Sequence, residues 1–418
     1  MKIRKIYEAE LLEAHRISAL SFHWPLDDKG KSPEEYAKSV RENPFSKGDS
    51  AATDIFGAFT DEGAMMASLC VIPYQVAFDG HQVPMGGIGA VCTYPEHRRK
   101  GAVKGMFIHF LNELYEKKIP FSYLYPFSEQ FYASFGYHRS CTSTYWEFDL
   151  KAIPNASIPG TFHLHRPGAA LDDFYTAYQA FAPKFNMMVY REALDWTTVK
   201  NADPFKGEVH AFLYKDQAQK PAGYLVFEKK TGPNGRRIID CKELAFSSFE
   251  TLKAMMAFAK TFAADYEAIA FAAPSSLNLD YFCTDFPQSN TNRHLQLNGM
   301  ARAVHVEEVL KLAKYQGNGS LSLYLHDHSL EKNNGLYQIR FENGKASRIS
   351  FAPLPISPFS QTGQCADVEM TVNIFSSAIL GNYHLSDFAY MDGVQIHANA
   401  ETAARVFYAK PCWINNYF

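Results

Sequence analysis

Apolar and polar residues along the first 150 positions follow two periods, one typical of strands and one typical of helices. Strands are predicted at 2–7, 51–60, 64–78, 83–93, 121–125 and 141–150. Helices are predicted at 8–22, after the capping sequence that begins at Ser32, and at 101–117. This order predicts one α/β unit, with antiparallel strands first and a strand–helix–strand core after them.

Two further units follow a proline-containing linker at 151–160. The second unit repeats the order of elements in the first, without a repeat at the level of residues. Its helices are predicted at 169–182, 191–200 and 249–263, and its strands at 208–214, 222–229, 236–246 and 267–273. The third unit contains a predicted hairpin around the Asn343-Gly344 turn. We expect domains at 1–150, 151–299 and 300–418.

Composition narrows the class of protein without giving a function. Hydrophobic residues make up 47% and charged residues 20%, which is typical of a globular chain. The formal net charge of -3 gives no electrostatic case for binding nucleic acid. No segment reaches the roughly 20 apolar residues of a membrane span, and the charged N-terminus is unlike a signal peptide. We therefore expect a cytoplasmic protein with no nucleic-acid or membrane partner.

The seven cysteines are scattered and contain no C-x-x-C pair. Zinc sites and disulfide frameworks both need closer pairing. Two histidine pairs, His163 with His165 and His326 with His328, have no third ligand nearby in the sequence. We therefore expect reduced thiols and no metal site.

One stretch, Gly86 to Lys104, carries a pattern with chemical meaning. A predicted strand stops at Pro95, and the basic run 98–100 then leads through Gly101 into a helix. Free N–H groups and the helix dipole favour an anion at such a helix start, and glycine lets the backbone approach a phosphate closely. An isolated basic helix start would merely be solvated. Here strand, proline, basic run and helix occur in one register, which predicts a phosphate site.

This pattern resembles the acyl-CoA-binding motif [QR]-x-x-G-x-[GA] of the GNAT acetyltransferase superfamily, which follows a bulged strand. Arg98 and Gly101 match the motif, whereas Val103 departs from its last position. The resemblance implies that the pantetheine arm and the thioester of acetyl-CoA lie along the strand backbone at Val91, Cys92 and Thr93. It implies a pyrophosphate site at Arg98, Arg99, Lys100, Gly101, Ala102, Val103 and Lys104.

A second segment, Phe127 to Tyr137, resembles the superfamily's FY-x-x-x-G-[FY] sequence. In that superfamily the tyrosine of the segment protonates the departing thiolate. The resemblance implies that Tyr132 is the acid and that Phe127 and Ser128 contact the cofactor. Its aromatic neighbours leave open the alternative that Tyr132 is a core residue. The reaction also needs a base, because an amine with an ordinary pKa of about 10.4 must lose a proton before it attacks.

The three-unit architecture is similar to that of the enhanced intracellular survival (Eis) family of GNAT enzymes. That resemblance implies tandem GNAT-like mixed-sheet α/β domains followed by a C-terminal sterol-carrier-protein-like α/β domain. The second GNAT-like domain would be degenerate, because its strand-to-helix junction at Ser248 has neither arginine nor glycine. The resemblance also implies a homohexamer in which the terminal carboxylate of Phe418 is the general base. The alternative for Phe418 is an apolar plug with a solvated carboxylate.

We therefore expect transfer of an acetyl group from acetyl-CoA to a primary amine. The expected acceptor is lysine or a cationic small molecule that is aminoglycoside- or polyamine-like. Two alternatives stay open: a lipid- or small-molecule-binding protein with a catalytically silent GNAT portion, and a GNAT domain that binds CoA only as a regulatory ligand. Four acidic residues could line a cationic pocket, but we favour a solvated helix start for them. They are Asp27, Asp28, Glu34 and Glu35.

Overall fold

A computed structural model describes residues 1–44, 46–206, 209–232, 235–282, 291–355 and 366–418. Two of the seven cysteines, Cys283 and Cys365, lie outside these residues. By their internal contacts the residues form two compact units. The first unit contains Met1–Ser140, Gly299–Lys410 and Asn416–Phe418, and the second contains Cys141–Asn298 and Pro411–Asn415. Within the described ranges, no helix is both long enough and apolar enough to cross a bilayer.

The described residues up to Ser140 contain six strands and four α-helices. They are β1 Lys2–Lys5, α1 Leu11–Phe22, α2 Pro33–Glu42, β2 Asp54–Phe59, β3 Met65–Phe78, β4 His81–Thr93, α3 Ala102–Glu116, β5 Phe121–Leu124, α4 Glu129–Ala133 and β6 His138–Arg139. The start of α2 follows the predicted capping box. The Ser32 side chain accepts a hydrogen bond from the Glu35 N–H, and the Glu35 carboxylate accepts one from the Ser32 N–H.

The second unit has the same alternation of strands and helices. Its elements are β7 Thr142–Asp149, β8 Thr161–Leu164, α5 Asp172–Phe181, α6 Thr197–Lys200, β9 Val209–Lys215, β10 Pro221–Thr231, β11 Arg237–Phe246, α7 Phe249–Lys260, β12 Ala268–Pro274 and β13 Thr291–Leu297. The periodicity did not predict β8 or β13. Both are edge strands with largely exposed side chains, so neither carries the apolar alternation that reveals a half-buried strand.

The described residues of Gly299–Lys410 and Asn416–Phe418 complete the first unit. They form β14 Met300–Ala303, α8 Val306–Leu312, β15 Gly319–His326, β16 Gly335–Glu342, β17 Lys345–Pro353, β18 Val368–Thr371, α9 Val372–Ile379, β19 Val394–Ile396 and α10 Ala400–Val406. Five of these strands form a sheet in the order β17-β16-β15-β18-β19. The predicted hairpin is confirmed: Asn343 and Gly344 have φ values of 51° and 76° and join β16 to β17, as a primed turn requires.

The sheet of the first 140 residues has the order β1-β2-β3-β4-β5-β14-β6. Its centre is the parallel pair β4 and β5, which α3 connects by burying Met106, Phe107 and Phe110 against the sheet. The strand beside β5 is β14, in which Met300 faces Leu124. The strand at 141–150 was expected to complete this sheet. Instead β7 pairs with β12 and β13 in the second unit, because alternation marks a strand but does not select its partner.

The second unit's sheet has the order β13-β7-β12-β11-β10-β9-β8. Among the described strands of this sheet, β11 and β12 form the one parallel pair, and α7 connects them. The parallel pair of the first sheet is likewise connected by a helix. The long segment 141–298 of this unit begins and ends at one place, since the Asn298 N–H donates to the Cys141 carbonyl at 3.0 Å. In the first unit, the Ser140 N–H donates to the Gly299 carbonyl at 3.4 Å.

Candidate functional site

The middle of β4 departs from regular pairing on both sides. Toward β3, Cys70 faces Gly89 and Ser68 faces Cys92, so an extra residue bulges out between them. Ala90 lies in this bulge with a φ of 48°. Toward β5, pairing among the described residues ends at Ile88. The backbone of the predicted residues Val91, Cys92 and Thr93 therefore lies beyond the parallel ladder, where its polar groups can bind a ligand.

The segment after β4 ends in a basic helix start whose conformation and charge are those expected of an anion site. Arg99 and Gly101 have φ values of 62° and 80°, so the chain turns sharply before α3. No acidic residue occupies the first turn of α3, and its first N–H groups have no partner inside the helix. Within the described residues, Arg98, Arg99 and Lys104 form no ion pair, and all three are exposed.

The remaining residues of the predicted pyrophosphate loop differ in which of their groups a ligand can reach. Lys100 is exposed and its Nζ lies 3.3 Å from Nδ1 of His97. Ala102 is buried and Val103 packs against the core of the sheet, so these two can offer a ligand only their backbone N–H groups. A Cβ built on Gly101 would meet no atom within 4 Å. Gly101 is thus required by its backbone conformation and not by lack of space.

Tyr132 lies in the short helix α4, which Ser128 caps by accepting a hydrogen bond from the Phe131 N–H at 3.4 Å. Its ring is buried, with the Phe107 ring centroid at 5.7 Å and that of Phe127 at 5.2 Å. In the described part of the chain its hydroxyl has no hydrogen-bond partner. Burial raises the pKa of Tyr132 well above its ordinary value. The ring is therefore a core residue, and the hydroxyl is a protonated donor.

Phe418 lies against the glycines of β4. A Cβ built on Gly87 would lie 2.7 Å from Cε2 of the Phe418 ring, so the ring occupies space that a side chain would fill. A Cβ built on Gly89 would lie 3.7 Å from the Phe418 carboxyl carbon. The ring centroid lies 4.7 Å from that of Tyr74 and 5.5 Å from that of Tyr125. The carboxyl group therefore lies next to the bulge of β4.

The preceding residues hold this end of the chain in place. The Tyr125 hydroxyl donates to the Asn416 carbonyl at 2.5 Å, and its ring centroid lies 4.6 Å from that of Tyr417. The Tyr123 ring centroid lies 6.2 Å from that of Phe418. The sequence alone suggested a buried end from its aromatic character. It gave no sign that the partners would be two tyrosines at the end of β5.

A cavity of about 700 Å³ opens beside the bulge. Its lining residues come from α1 and α2, from described residues that follow each of these helices, and from strands β2 to β4. They are Ala14, His15, Ser18, Trp24, Pro25, Tyr36, Val40, Asn43, Ser46, Gly48, Asp49, Ile55, Ser68, Cys70 and Ala90. The sequence patterns did not indicate that His15, Trp24, Tyr36 and Asp49 line a cavity. A possible signal was the weak amphipathic pattern of α1, whose His15 and Ser18 interrupt a mainly apolar face.

The helix start at Ser248 in the second unit differs from that of α3 in every respect that matters for an anion. The Ser248 side chain accepts a hydrogen bond from the Thr251 N–H at 3.2 Å, so one of the free donors is already used. Glu250 places a negative charge in the first turn. These features favour the prediction that the second unit binds no CoA.

Comparisons with known proteins agree with the geometry. Residues 2–140 match the family described as an acetyltransferase (GNAT) domain, and residues 306–415 match the sterol carrier protein domain. These matches confirm the predicted superfamily and the predicted mixed α/β fold with its C-terminal sterol-carrier-protein-like part. No functionally curated protein matches the chain.

Three solved structures share the fold over the whole chain. A probable N-acyltransferase from Enterococcus faecalis is 19% identical, with a TM-score of 0.81 over 100% of this chain and 99% of that one. A GCN5-related N-acetyltransferase from Anabaena variabilis is also 19% identical, with a TM-score of 0.81 over 100% of both chains. Eis1 from Mycobacterium abscessus is 16% identical, with a TM-score of 0.78 over 100% of both.

Proposed function

We propose that this chain, an acetyl-CoA-dependent N-acetyltransferase with a GNAT domain at residues 2–140, uses the carboxylate of Phe418 as its base and Tyr132 as its acid. One observation carries the proposal. The carboxyl group of Phe418 lies beside Gly89, next to the bulge at which β4 leaves β5. A buried apolar plug would need only the ring of Phe418, and would not need its carboxyl group at this position.

Acetyl-CoA would bind along β4 and at the start of α3. The pantetheine arm and the thioester would pair with the backbone of Val91, Cys92 and Thr93, and Phe127 and Ser128 would border the cofactor. The pyrophosphate would accept hydrogen bonds from the N–H groups between Gly101 and Lys104. The exposed cations of this loop would add charge attraction, which is strongest where no carboxylate competes for them.

The reaction would proceed by direct attack of the amine on the thioester. The Phe418 carboxylate accepts a proton from the substrate ammonium, directly or through one water, and the neutral amine then forms a bond to the acetyl carbon. A backbone N–H of the splayed strand stabilises the oxyanion. When the carbon–sulfur bond breaks, the thiolate takes a proton from the Tyr132 hydroxyl. The attacking nitrogen gives up its second proton to solvent, and Tyr132 regains a proton from solvent, so that the amide, the free thiol and the starting enzyme remain. No covalent bond to the enzyme is formed, so Cys92 is not needed as a nucleophile.

Adding one alanine after Phe418 tests the role of the carboxylate. The extension keeps the Phe418 ring but turns its carboxylate into a peptide group. We expect kcat to fall roughly 100-fold while the KM for acetyl-CoA stays unchanged, measured by thiol release from acetyl-CoA. The matched control adds one alanine before Met1, which lengthens the chain by the same residue at its other end and leaves the Phe418 carboxylate unchanged. Unchanged turnover in the extended chain would exclude the proposal.

The same assay separates the alternatives. A catalytically silent GNAT portion, or one that binds CoA only as a regulatory ligand, releases no thiol with any amine. The exposed basic loop and the unpartnered Tyr132 hydroxyl both favour the active form. The homohexamer and the cytoplasmic location stay predictions, and light scattering of the purified full chain tests the first of them.

A further inference from the structure

The cavity beside the bulge has two walls of different character. The strand wall consists of Ile55, Ser68, Cys70 and Ala90, and the helical wall includes three rings on α1, α2 and the loop that follows α1. The His15 ring centroid lies 6.1 Å from that of Trp24 and 5.7 Å from that of Tyr36, both edge to face. We call His15, Trp24 and Tyr36 the aromatic triad. An occupant of this cavity therefore meets mostly carbon.

Little of the lining is charged at neutral pH. Burial lowers the pKa of His15 below its ordinary value, so this imidazole is neutral, and its Nδ1 lies 2.8 Å from the Tyr36 hydroxyl. Burial raises the pKa of Tyr36 to about 12 and that of Cys70 to about 12, so both are neutral too. Among the described lining residues, Asp49 is the one carboxylate.

Asp49 is already engaged by its own loop. Its Oδ2 accepts hydrogen bonds from the Ser46 N–H at 3.0 Å and from the Ser46 hydroxyl at 3.1 Å. Its Oδ1 lies 3.6 Å from Nε2 of His15. A substrate ammonium group would have to displace or share these contacts. The cavity therefore has one occupied carboxylate of its own, besides the Phe418 carboxyl group near the bulge.

The other acidic residues of this region are not in the lining. Asp28 pairs with Arg16, Asp27 pairs with Lys29, and the Glu35 carboxylate caps α2. The solvated alternative for these acids thus agrees with the structure. A polycation such as an aminoglycoside or a polyamine carries several ammonium groups, and an ammonium buried without a partner costs several kcal/mol.

We propose that the acceptor is an arylalkyl or alkyl primary amine that carries a single positive charge, with its apolar body against the aromatic triad and its nitrogen toward the bulge. This inference rests on the proposed function, since it assigns the amine end to the Phe418 carboxyl group. The Phe418 carboxyl group and the cavity lie close together, because both border the side chain of Ile72. Its Cδ1 lies 3.9 Å from a Cβ built on Gly48, which lines the cavity, and 3.6 Å from one built on Gly89, which borders the carboxyl group.

A panel of matched amines tests the inference with the full chain. Hexylamine and 1,6-diaminohexane differ by one ammonium group, 2-phenylethylamine adds a ring, and kanamycin represents polycations. We expect kcat/KM for hexylamine and 2-phenylethylamine to exceed that for the diamine by about tenfold or more, and kanamycin to be a poor acceptor. A diamine or kanamycin that matches or exceeds the monoamines would overturn the inference while leaving acetyl transfer intact.

Binding gives a second readout that does not depend on catalysis. Thermal stabilisation by each amine, measured with CoA present, should follow the same order. If the order holds without turnover, the preference of the cavity for amines with a single positive charge stands, but the proposed function fails and these amines are ligands and not acceptors. If no amine of the panel binds and none is acetylated, both fail.

A variant locates the apolar body. Trp24→Ala should lower kcat/KM for 2-phenylethylamine by about tenfold and change that for methylamine, which is too short to reach the triad, far less. The matched control is Phe22→Ala, which removes an exposed ring two residues away that does not line the cavity. An equal loss for both amines in Trp24→Ala, or an equal effect of Phe22→Ala, would contradict the assignment.

Discussion

The contact between β4 and the Phe418 ring makes Gly87→Ala an informative substitution. A Cβ on Gly87 would lie 2.7 Å from Cε2 of Phe418 and 2.9 Å from two ring carbons of Tyr74. A neighbouring glycine provides the control. A Cβ on Gly86 would lie 2.9 Å from the Leu114 Cδ1, so Gly86→Ala adds the same methyl group at a place that touches the core and not the end of the chain.

The size of the effect follows from the geometry. Carbon atoms in contact are usually about 3.5–4.0 Å apart, so the Phe418 ring must retreat by roughly 1 Å and carry its carboxyl group with it. Overpacking of this kind costs about 1–3 kcal/mol of stability, and both variants should show it. A catalytic group misplaced by about 1 Å loses on the order of 100-fold in rate, which corresponds to about 2.7 kcal/mol of transition-state stabilisation. Only Gly87→Ala should show that second loss.

The measurement combines urea unfolding with steady-state kinetics at saturating amine. Both variants should unfold at lower urea than the parent chain, and both should keep the parent KM for acetyl-CoA. The kcat of Gly87→Ala should then lie far below that of Gly86→Ala. Equal kcat values in the two variants, with Gly87→Ala shown to be folded, would refute the view that the Phe418 carboxyl group acts from its observed position.

Three further predictions concern other parts of the first unit. Tyr132→Phe should lower kcat by about 100-fold with little change in stability. In the parent chain, deprotonation of Tyr132 should cause no loss of kcat up to pH 10, because the raised pKa of Tyr132 keeps its hydroxyl protonated. Gly101→Ala should raise the KM for acetyl-CoA several-fold and cost about 1–2 kcal/mol of stability. The control is Gly168→Ala, which should show the stability cost alone, because Gly168 has a similar φ of 82° and its Cβ would also lie in open space. Lys410→Met removes the ammonium group that lies 2.6 Å from the buried carboxylate of Asp79 and should cost about 3–5 kcal/mol in urea unfolding. A loss below about 1 kcal/mol would contradict the importance of this ion pair.

Sequence patterns predicted well the features that a few neighbouring residues determine. The Ser32 capping box, the Asn343-Gly344 hairpin and the helix start at Gly101 each depend on residues within one turn of one another. The difference between this helix start and the one at Ser248 is local too, because the Ser248 side chain accepts a hydrogen bond from the Thr251 N–H, which an anion would otherwise need. Resemblance to a family added the proposed catalytic residues, Tyr132 and Phe418, whose roles the local pattern does not indicate.

Features that depend on distant residues could not be predicted in this way. Alternation showed that 141–150 is a strand, but the choice between the open edges of β5 and β12 is made by packing across more than a hundred residues. The aromatic triad joins His15 to Trp24 and Tyr36 across two helices and a loop of irregular sequence. The position of Phe418 on Gly87 likewise has no local signal, because glycine in a strand indicates a close approach without naming the partner.

The nested order of the chain has a consequence for how this protein can be divided. Residues 141–298, the larger part of the second unit, leave and rejoin the chain at hydrogen-bonded residues, Cys141 and Asn298, and so form an insertion with adjacent ends. The same unit also contains Pro411–Asn415, which come from the end of the chain. The matched GNAT segment 2–140 is nevertheless not autonomous, because β14 arrives only after that insertion and supplies the strand between β5 and β6. Excision of 141–298 would leave the buried Trp413 without the core in which it packs, and truncation at residue 140 would expose an unpaired sheet edge to aggregation. A shortened chain therefore has to remove 141–298 and also replace the apolar residues of 411–415.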